Sequence, residues 1–263
     1  MIGIATGNGY GIPFEERYAL FRKAGFDSIL LWWGNDEMAT RVDRVWLAKA
    51  FDLRIENAHA STNDLNALWL EGAAGNRTCN RLLHEIDDCG EFGIPTLVLH
   101  LTNGSNPPPV SASGLQRVEY LLRLAEDTGV RLAFENVRQP EHTRYILDHY
   151  PLPHVGLCYD AGHAHFWTPD TDWLTLYKNR IFAVHLHDND GTRDAHRIPL
   201  EGSIDWEHIM EKIAVSSYHG CIAVESEYAA GGYESAESLP DYLHRAYAGG
   251  QKLEHLLQKY RNK

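Results

Sequence analysis

Short apolar and β-branched runs alternate along the chain with longer segments whose apolar residues recur at helical spacing, the pattern of repeated βα units. Eight runs read as strands: Ile2–Thr6, Ser28–Trp33, Arg54–Ala58, Thr96–His100, Arg131–Asn136, Val155–Tyr159, Ile181–His187 and Cys221–Ser226. Between them lie stripes such as Val118, Leu121, Leu122 and Ala125, whose spacing predicts a helix covering the outside of a sheet. Gly25, Gly93 and Gly129 each follow such a segment just before the next strand, where a left-handed C-terminal cap is expected. Eight βα units in a chain of 263 residues predict an α/β fold, a single (β/α)8 TIM barrel domain spanning 1–263.

Charge narrows the partners. The 24 Lys and Arg residues against 36 Asp and Glu give a formal net charge of −12, which argues against non-specific binding of nucleic acid or of an anionic membrane. The C-terminal QKYRNK reads as a solvated tail. Cys79, Cys89, Cys158 and Cys221 form no C-x-x-C pair, and MIGIATGNGYG has no charged segment followed by an apolar one. A reduced, cytoplasmic protein is therefore expected. No apolar run approaches the roughly 18–20 residues that span a bilayer.

Fifteen histidines stand out, and their placement matters more than their number. In a barrel of this kind the chemistry sits at the C-terminal ends of the strands. There the sequence puts His59, His100, Glu135, Asp160 with His163, His185 with His187, and Glu225. One histidine at a strand end is ordinarily a hydrogen-bonded rim residue. Ionisable groups ending six adjacent strands converge on one small rim, where uncompensated carboxylates would repel one another, and a divalent cation is the simplest compensation.

The stretch VHLHDNDGTRDAH, from Val184 to His196, carries three of the imidazoles and three carboxylates. His185 and His187 are two apart on a strand and so share a face, which can be the barrel axis. The aspartates that follow are expected to accept hydrogen bonds from the imidazoles and fix their tautomers. Asp194 and His196 on the loop read equally as ligands or as ordinary turn residues. Trp32 and Trp33 end the second strand. Packing is the plain reading for them, and an aromatic face lining a sugar pocket, assigned to Trp32, is the alternative. Gly7-Asn-Gly9-Tyr-Gly11 has the wrong spacing for a dinucleotide loop, and no G-x-S-x-G, Walker or H-E-x-x-H pattern occurs.

Taken together, LAFENV, CYDAGHAH, VHLHDNDGTRDAH with EGSIDW, and IAVESE resemble the xylose isomerase-like TIM-barrel superfamily across essentially the whole chain. That superfamily holds sugar isomerases, sugar 3-epimerases, inosose dehydratases and the endonuclease IV group. The resemblance implies a divalent metal, Zn2+ or Mn2+, on Glu135, Asp160, His185 and Glu225. It implies a substrate- or metal-contacting role for His163. The pattern H-x-x-[DE] fits both His185-Leu-His-Asp188 and His187-Asp-Asn-Asp190; the likeness of HLHDNDG to the HLND stretch of the nuclease branch favours His185, with His187 assigned to substrate contact. The nuclease branch uses three zinc ions, and the chain offers His59 and His100 for one outer metal and His163, Asp194 and His196 for the other. It departs from that branch in the short loop between His187 and Asp194, in Asp190 where a lysine is frequent, and in lacking basic DNA-grasping loops.

The expected activity is sugar, sugar-phosphate or keto-polyol isomerisation or epimerisation. Glu135 and Glu225 would be the catalytic pair, one removing a proton beside a carbonyl and the other returning it. A zinc-dependent phosphodiester hydrolase with up to three metals is the alternative, and a non-catalytic sugar-binding barrel the third reading. The expected partner is a small carbohydrate. Substrate choice falls to the loops Asn8–Ile12, Trp32–Asp36 and Ser105–Val110. Barrels of this superfamily often pair, and the aromatic surplus agrees with a homodimer.

Overall fold

The structure is a computed structural model that describes residues 1–7, 9–34, 38–229 and 231–262. Asn8, Asn35 and Asp36, in two of the three specificity loops named above, lie outside the described residues. Eight parallel strands, β1 (Ile2–Ala5), β2 (Ser28–Trp32), β3 (Arg54–His59), β4 (Thr96–Leu99), β5 (Arg131–Glu135), β6 (Val155–Asp160), β7 (Ile181–His185) and β8 (Ile222–Val224), pair in the order β7-β6-β5-β4-β3-β2-β1-β8. Leu186, one residue past β7, pairs in parallel with Val224 and closes the ring. Its N–H donates to Ala223 O at 2.9 Å and its carbonyl accepts from Glu225 N at 3.1 Å. The expected (β/α)8 barrel is present.

The helices that matter for the rim are α1 (Phe14–Ala24), α2 (Arg41–Ala50), α3 (Ala73–Phe92), α4 (Ala112–Thr128), α5 (Glu141–His149), α6 (Ala161–Trp167), α7 (Trp173–Leu176), α8 (Trp206–Ala214) and α9 (Leu239–Arg261). The glycines that follow α1, α3 and α4 adopt the left-handed conformation expected of them, with φ of 110°, 68° and 73°. Val118, Leu121, Leu122 and Ala125 are all buried on the inner face of α4. No helix among the described residues is long and apolar enough to cross a membrane. The four cysteines are free and buried.

Alternation along the strands separates two buried layers. Leu97, Leu99, Leu132, Phe134, Leu157, Tyr159 and Val184 belong to the main core beneath the helices. Val98, Ala133, Cys158 and Ala183, each 0 % exposed, form a separate cluster inside the barrel. Two residues further along the same face come His100, Glu135, Asp160 and His185. The small interior layer thus acts as the floor on which the ionisable layer rests. Register steps the layer between β5 and β6, where Glu135 pairs with Cys158 of the floor, and keeps it level between β6 and β7, where Asp160 pairs with His185.

Several strands stop short of their expected ends. β7 ends at His185 rather than His187 because the chain leaves the barrel ladder after Leu186 and Asp188 turns back in an antiparallel bridge to Arg197. The loop between them folds over the barrel mouth. Asp188 holds it: the buried carboxylate accepts from Asn189 N (2.9 Å), Leu200 N (2.9 Å), Ile204 N (3.3 Å) and Trp206 Nε1 (2.7 Å). His196 and Leu200 in this loop have left-handed φ of 43° and 75°, conformations that cost energy in a non-glycine residue and persist only where the surroundings impose them.

Asp188→Ala leaves four donors without their acceptor and is expected to destabilise the fold by about 3 kcal/mol. Urea unfolding measures this; a loss below about 1 kcal/mol would show that the carboxylate is not the clamp of the loop.

Candidate functional site

Glu135, at the end of β5 and 1 % exposed, is met by four imidazoles. Its Oε2 lies 3.3 Å from His59 Nε2, 3.2 Å from His100 Nε2 and 3.2 Å from His185 Nδ1, and its Oε1 lies 3.0 Å from His163 Nδ1. His185 Nδ1 also lies 3.2 Å from Glu225 Oε2, so one ring faces carboxylates from β5 and from just beyond β8. Asp160 sits one strand away. Its Oδ1 caps α6 by accepting from His163 N at 2.6 Å, and both its oxygens lie 3.1 Å from His187 Nε2.

The loop after β7 supplies the last members. Asp194 Oδ2 lies 3.4 Å from both His163 Nε2 and His196 Nε2. His196 stacks on His187, with centroids 3.8 Å apart and planes 11° from parallel. Donor atoms of four overlapping groups lie within 4.8 Å of one another: His59, Glu135 and His185; Glu135, Asp160 and His163; Asp160, His187 and Glu225; and His163, His187, Asp194 and His196. Eight of the nine residues expected as ligands fall in these groups together with His187, and His100 joins them through its contact with Glu135. His185 faces Glu135 and Glu225, whereas His187 faces Asp160.

Two expectations change. His187, expected against substrate, is fully buried under His196 and is absent from the cavity wall. Its ring lies over Gly162, where a Cβ would come within 1.9 Å of Cε1, so only glycine at the start of α6 lets the imidazole in. Asp188 and Asp190, the first aspartates after β7, do not fix the imidazole tautomers. Asp188 is consumed by the loop, and Asp190 accepts at the surface from Thr192 and Arg197. Backbone carbonyls do that work instead: His59 Nδ1–H donates to Ala60 O (2.8 Å), His163 Nδ1–H to Asn136 O (3.1 Å) and His196 Nδ1–H to Glu225 O (3.1 Å). Carbonyls only accept, so in His59 and His196 the Nε2 is left facing the carboxylates.

Electrostatics follow from this crowding. Burial alone would raise the Glu135 carboxyl, but His100 and His185 outweigh it and hold the group well below the usual range. Burial opposes a charged His185, yet Cys158, Glu225 and Glu135 push it well above the ordinary imidazole value. His163 is raised likewise, against burial, by Asp160, Asp194 and Glu135. His196 reaches about 10, against burial, through its bond to Asp194 and the nearby Glu225. Without a cation, His163, His185 and His196 thus meet their carboxylates as imidazoliums. Glu135 Oε2, His100 Nε2, His185 Nδ1 and Asp194 Oδ1 are nevertheless buried with no hydrogen-bond partner. Buried polar atoms ordinarily have one, and oxygen and imidazole donors at this spacing fit a divalent cation.

A cavity of about 340 Å³ opens above the cluster. Its wall includes His59, His100, Glu135, His163, Asp194, His196 and Glu225, with Trp32 on one side. Trp32 packs on His59 at 5.6 Å. Trp33 points away into the core, its indole N–H donating to Asp88 Oδ2 at 3.3 Å. Residues not singled out in the sequence also belong here. Trp167 stacks on His163 at 4.4 Å; its position four residues on, along the same helix face, was the available signal. Glu227 lines the wall two residues after Glu225 and is raised above the usual carboxylate range by burial. Asn136 pins the end of β6, donating to Asp160 O at 2.8 Å and accepting from Asp160 N at 2.7 Å.

Known proteins place this geometry in a lineage. The family model described as xylose isomerase-like TIM barrel matches residues 18–246. The uncharacterized protein y4fM of Sinorhizobium fredii is 28% identical over 196 residues, 69% of this chain and 62% of that protein, so the match spans less than two thirds of that relative's length. The probable endonuclease 4 of Mycoplasma mycoides subsp. mycoides is 27% identical over 140 residues, 46% of this chain and 48% of that one. Among solved structures, D-psicose 3-epimerase with D-tagatose from Clostridium cellulolyticum superposes with a TM-score of 0.78 at 13% identity, covering 97% of this chain and 98% of the other. The IolI protein with a binding zinc atom superposes with a TM-score of 0.74 at 17% identity, covering 99% of both chains. These structures share the fold, and the family match over most of the length assigns the chain: it belongs to the xylose isomerase-like TIM barrel family.

Proposed function

We propose that the protein is a divalent-metal-dependent isomerase or epimerase of a sugar, sugar phosphate or keto-polyol. The observation that carries this reading is the pair Glu135 and Glu225. These carboxylates come from β5 and from beyond β8, line the same small cavity, and both approach His185 Nδ1 at 3.2 Å. The cavity is near the lower end of the usual range for small-molecule sites, and the indoles of Trp32 and Trp167 suit the C–H faces of a sugar. The zinc-binding and epimerase structures of the same fold support the reading by analogy.

Glu135, Asp160, His185 and Glu225 would hold the central cation, with zinc favoured by imidazoles and manganese by carboxylates. The chemistry a cation held there would supply is polarisation of the carbonyl of a ketose, which would acidify the adjacent C–H. Glu135 and Glu225 then do the proton work from different sides of the cavity, one removing the proton and the other delivering it. Buried next to imidazoles, both rest in the ionised form, so either can act as the base, and the one that delivers first takes up a proton from solvent in the cavity. Trp32 and His163 bound the space in which the carbon chain lies. We further take residues 1–263 as one domain acting in a reducing, cytoplasmic compartment on a small carbohydrate, with a homodimer as its assembly.

A second reading, a zinc-dependent phosphodiester hydrolase, is favoured by one observation. Both oxygens of Glu135 are met by imidazoles, and His163, Asp194 and His196 form a further donor group, so there are ligands for up to three cations. The match to a probable endonuclease 4 supports it in part. The net charge of −12 opposes it.

Three measurements test these readings. In a screen of keto-sugars and their phosphates with metal-replete protein, substrate-dependent exchange of a C–H proton with deuterated solvent is expected, and cleavage of an abasic-site oligonucleotide is not. Glu135→Gln and Glu225→Gln should each lower exchange by at least about a hundredfold; a variant that keeps most of the activity removes that residue from the proton-transfer pair. Metal analysis of protein purified without chelator should find about one tightly held ion per chain for the sugar enzyme and about three for the hydrolase.

Metal loading should also depend on pH with a definite sign. His163, His185 and His196 carry raised imidazole values when no cation is bound, and ligation needs them neutral, so binding expels protons and tightens as pH rises. Affinity for Zn2+ is expected to climb by about tenfold or more per pH unit over roughly pH 6 to 8. Calorimetry in buffers of different ionisation heat counts the protons; a pH-independent affinity with no proton release contradicts the protonated cluster.

A further inference from the structure

The cavity has an acidic floor and an uncommitted cation at its mouth. Four carboxylates, Glu135, Asp194, Glu225 and Glu227, line it. Arg138 lines it too, and among the described residues the wall includes no lysine and no second arginine. Arg138 follows Glu135 by three residues, but where Glu135 is buried Arg138 is exposed, so the chain climbs from floor to rim between them. The neighbouring polar groups of this rim are occupied. Gln139 Nε2 donates to Ser105 O at 2.9 Å, and Asn103 Nδ2 donates to Thr62 O. The Arg138 guanidinium has no ion-pair or hydrogen-bond partner among the described residues.

Two consequences follow. A neutral sugar seated over the cluster would offer this guanidinium only uncharged hydroxyl acceptors, and covering a charge without a counter-charge is costly. A sugar bearing an anion would instead meet five donors in a planar fork, the geometry that suits phosphate and carboxylate. In a chain of net charge −12, an anionic substrate also needs a local cation to enter an acidic cavity.

We infer that Arg138 is the anion-recognising residue of the cavity, and that the substrate carries a phosphate or carboxylate at the end remote from the Glu135 cluster. The inference rests on the sugar reading and narrows its substrate class. The reacting end lies at the floor, and the charged end lies at the rim beside Arg138.

Three probes that share a ketone end and differ at the far end, D-fructose, D-fructose 6-phosphate and D-fructuronate, separate the possibilities. Calorimetry on the metal-replete protein should show at least one anionic probe binding about tenfold or more tighter than fructose, the range of a charge-assisted hydrogen bond. A preference for the phosphate alone, the carboxylate alone or both supports the proposal and names the anion. Arg138→Gln should bring the ratio to within about twofold, and Arg138→Lys should keep part of it, since lysine retains the charge without the fork. Metal content and circular dichroism confirm that the variants are folded and loaded. Equal binding of the three probes, a preference that survives Arg138→Gln, or no binding by any probe overturns the proposal. The isomerase reading fails on a different result, the absence of proton exchange with ligand bound, whatever the affinity ratio.

Discussion

A single buried carboxylate organises this molecule. Glu135 is almost wholly buried, and its compensation comes from imidazoles that reach it from β3, from the residue after β4, from α6 and from β7. A charge so buried is tolerated only when its partners are held in place. The strands that bring His59, His100 and His185 to Glu135 must therefore keep their register, and α6 must start where it does. That start depends on Asp160, which caps α6 through His163 N while its carboxylate meets His187. Folding α6 and assembling the cluster are parts of one arrangement.

The barrel interior makes this affordable in space. Val98, Ala133, Cys158 and Ala183 fill the layer below with modest side chains, so the next residues on the same face can crowd toward the axis without overpacking. Cys158 also lies against His185, with its own thiol pushed up by burial and so uncharged. Above the layer, Trp32 and Trp167 back His59 and His163 with flat apolar faces. Rings so backed have little freedom to turn away from the site, which is how a cluster of flexible side chains becomes a preorganised one.

The segment after β7 completes the site from outside the barrel. Asp188 draws the backbone of residues 189, 200 and 204 and the Trp206 indole to one buried point, and the loop between is thereby laid across the mouth with Asp194 and His196 facing inward. The motif EGSIDW downstream belongs to the same clamp. Glu201 accepts from Tyr233 Oη at 2.6 Å, Gly202 lies where a Cβ would meet the Asp188 carboxylate, and Trp206 supplies a donor. What resembled a site motif in the chain is largely scaffold for two ligand candidates several residues upstream.

The eight strands, the helices between them and the side chains ending six strands were legible in the chain, because alternation and helical spacing are local and a parallel barrel sends its strand ends to one rim. His185 and His187 were recognisable as neighbours on one face for the same reason. Distance was not legible. That Asp188 would serve the loop instead of an imidazole, that His187 would sink beneath His196, and that Trp167 and Arg138 would line the cavity all depend on how the loop after β7 and the first turns after β5 and β6 fold back. Those segments follow no periodic pattern; their course is set by hydrogen bonds between residues far apart in sequence, such as Trp206 with Asp188 and Asn136 with Asp160. The sequence by itself determined which groups arrive at the rim. Only the tertiary structure decided which of them meet, since a buried charge takes as partner whatever closure of the barrel brings within a few ångströms.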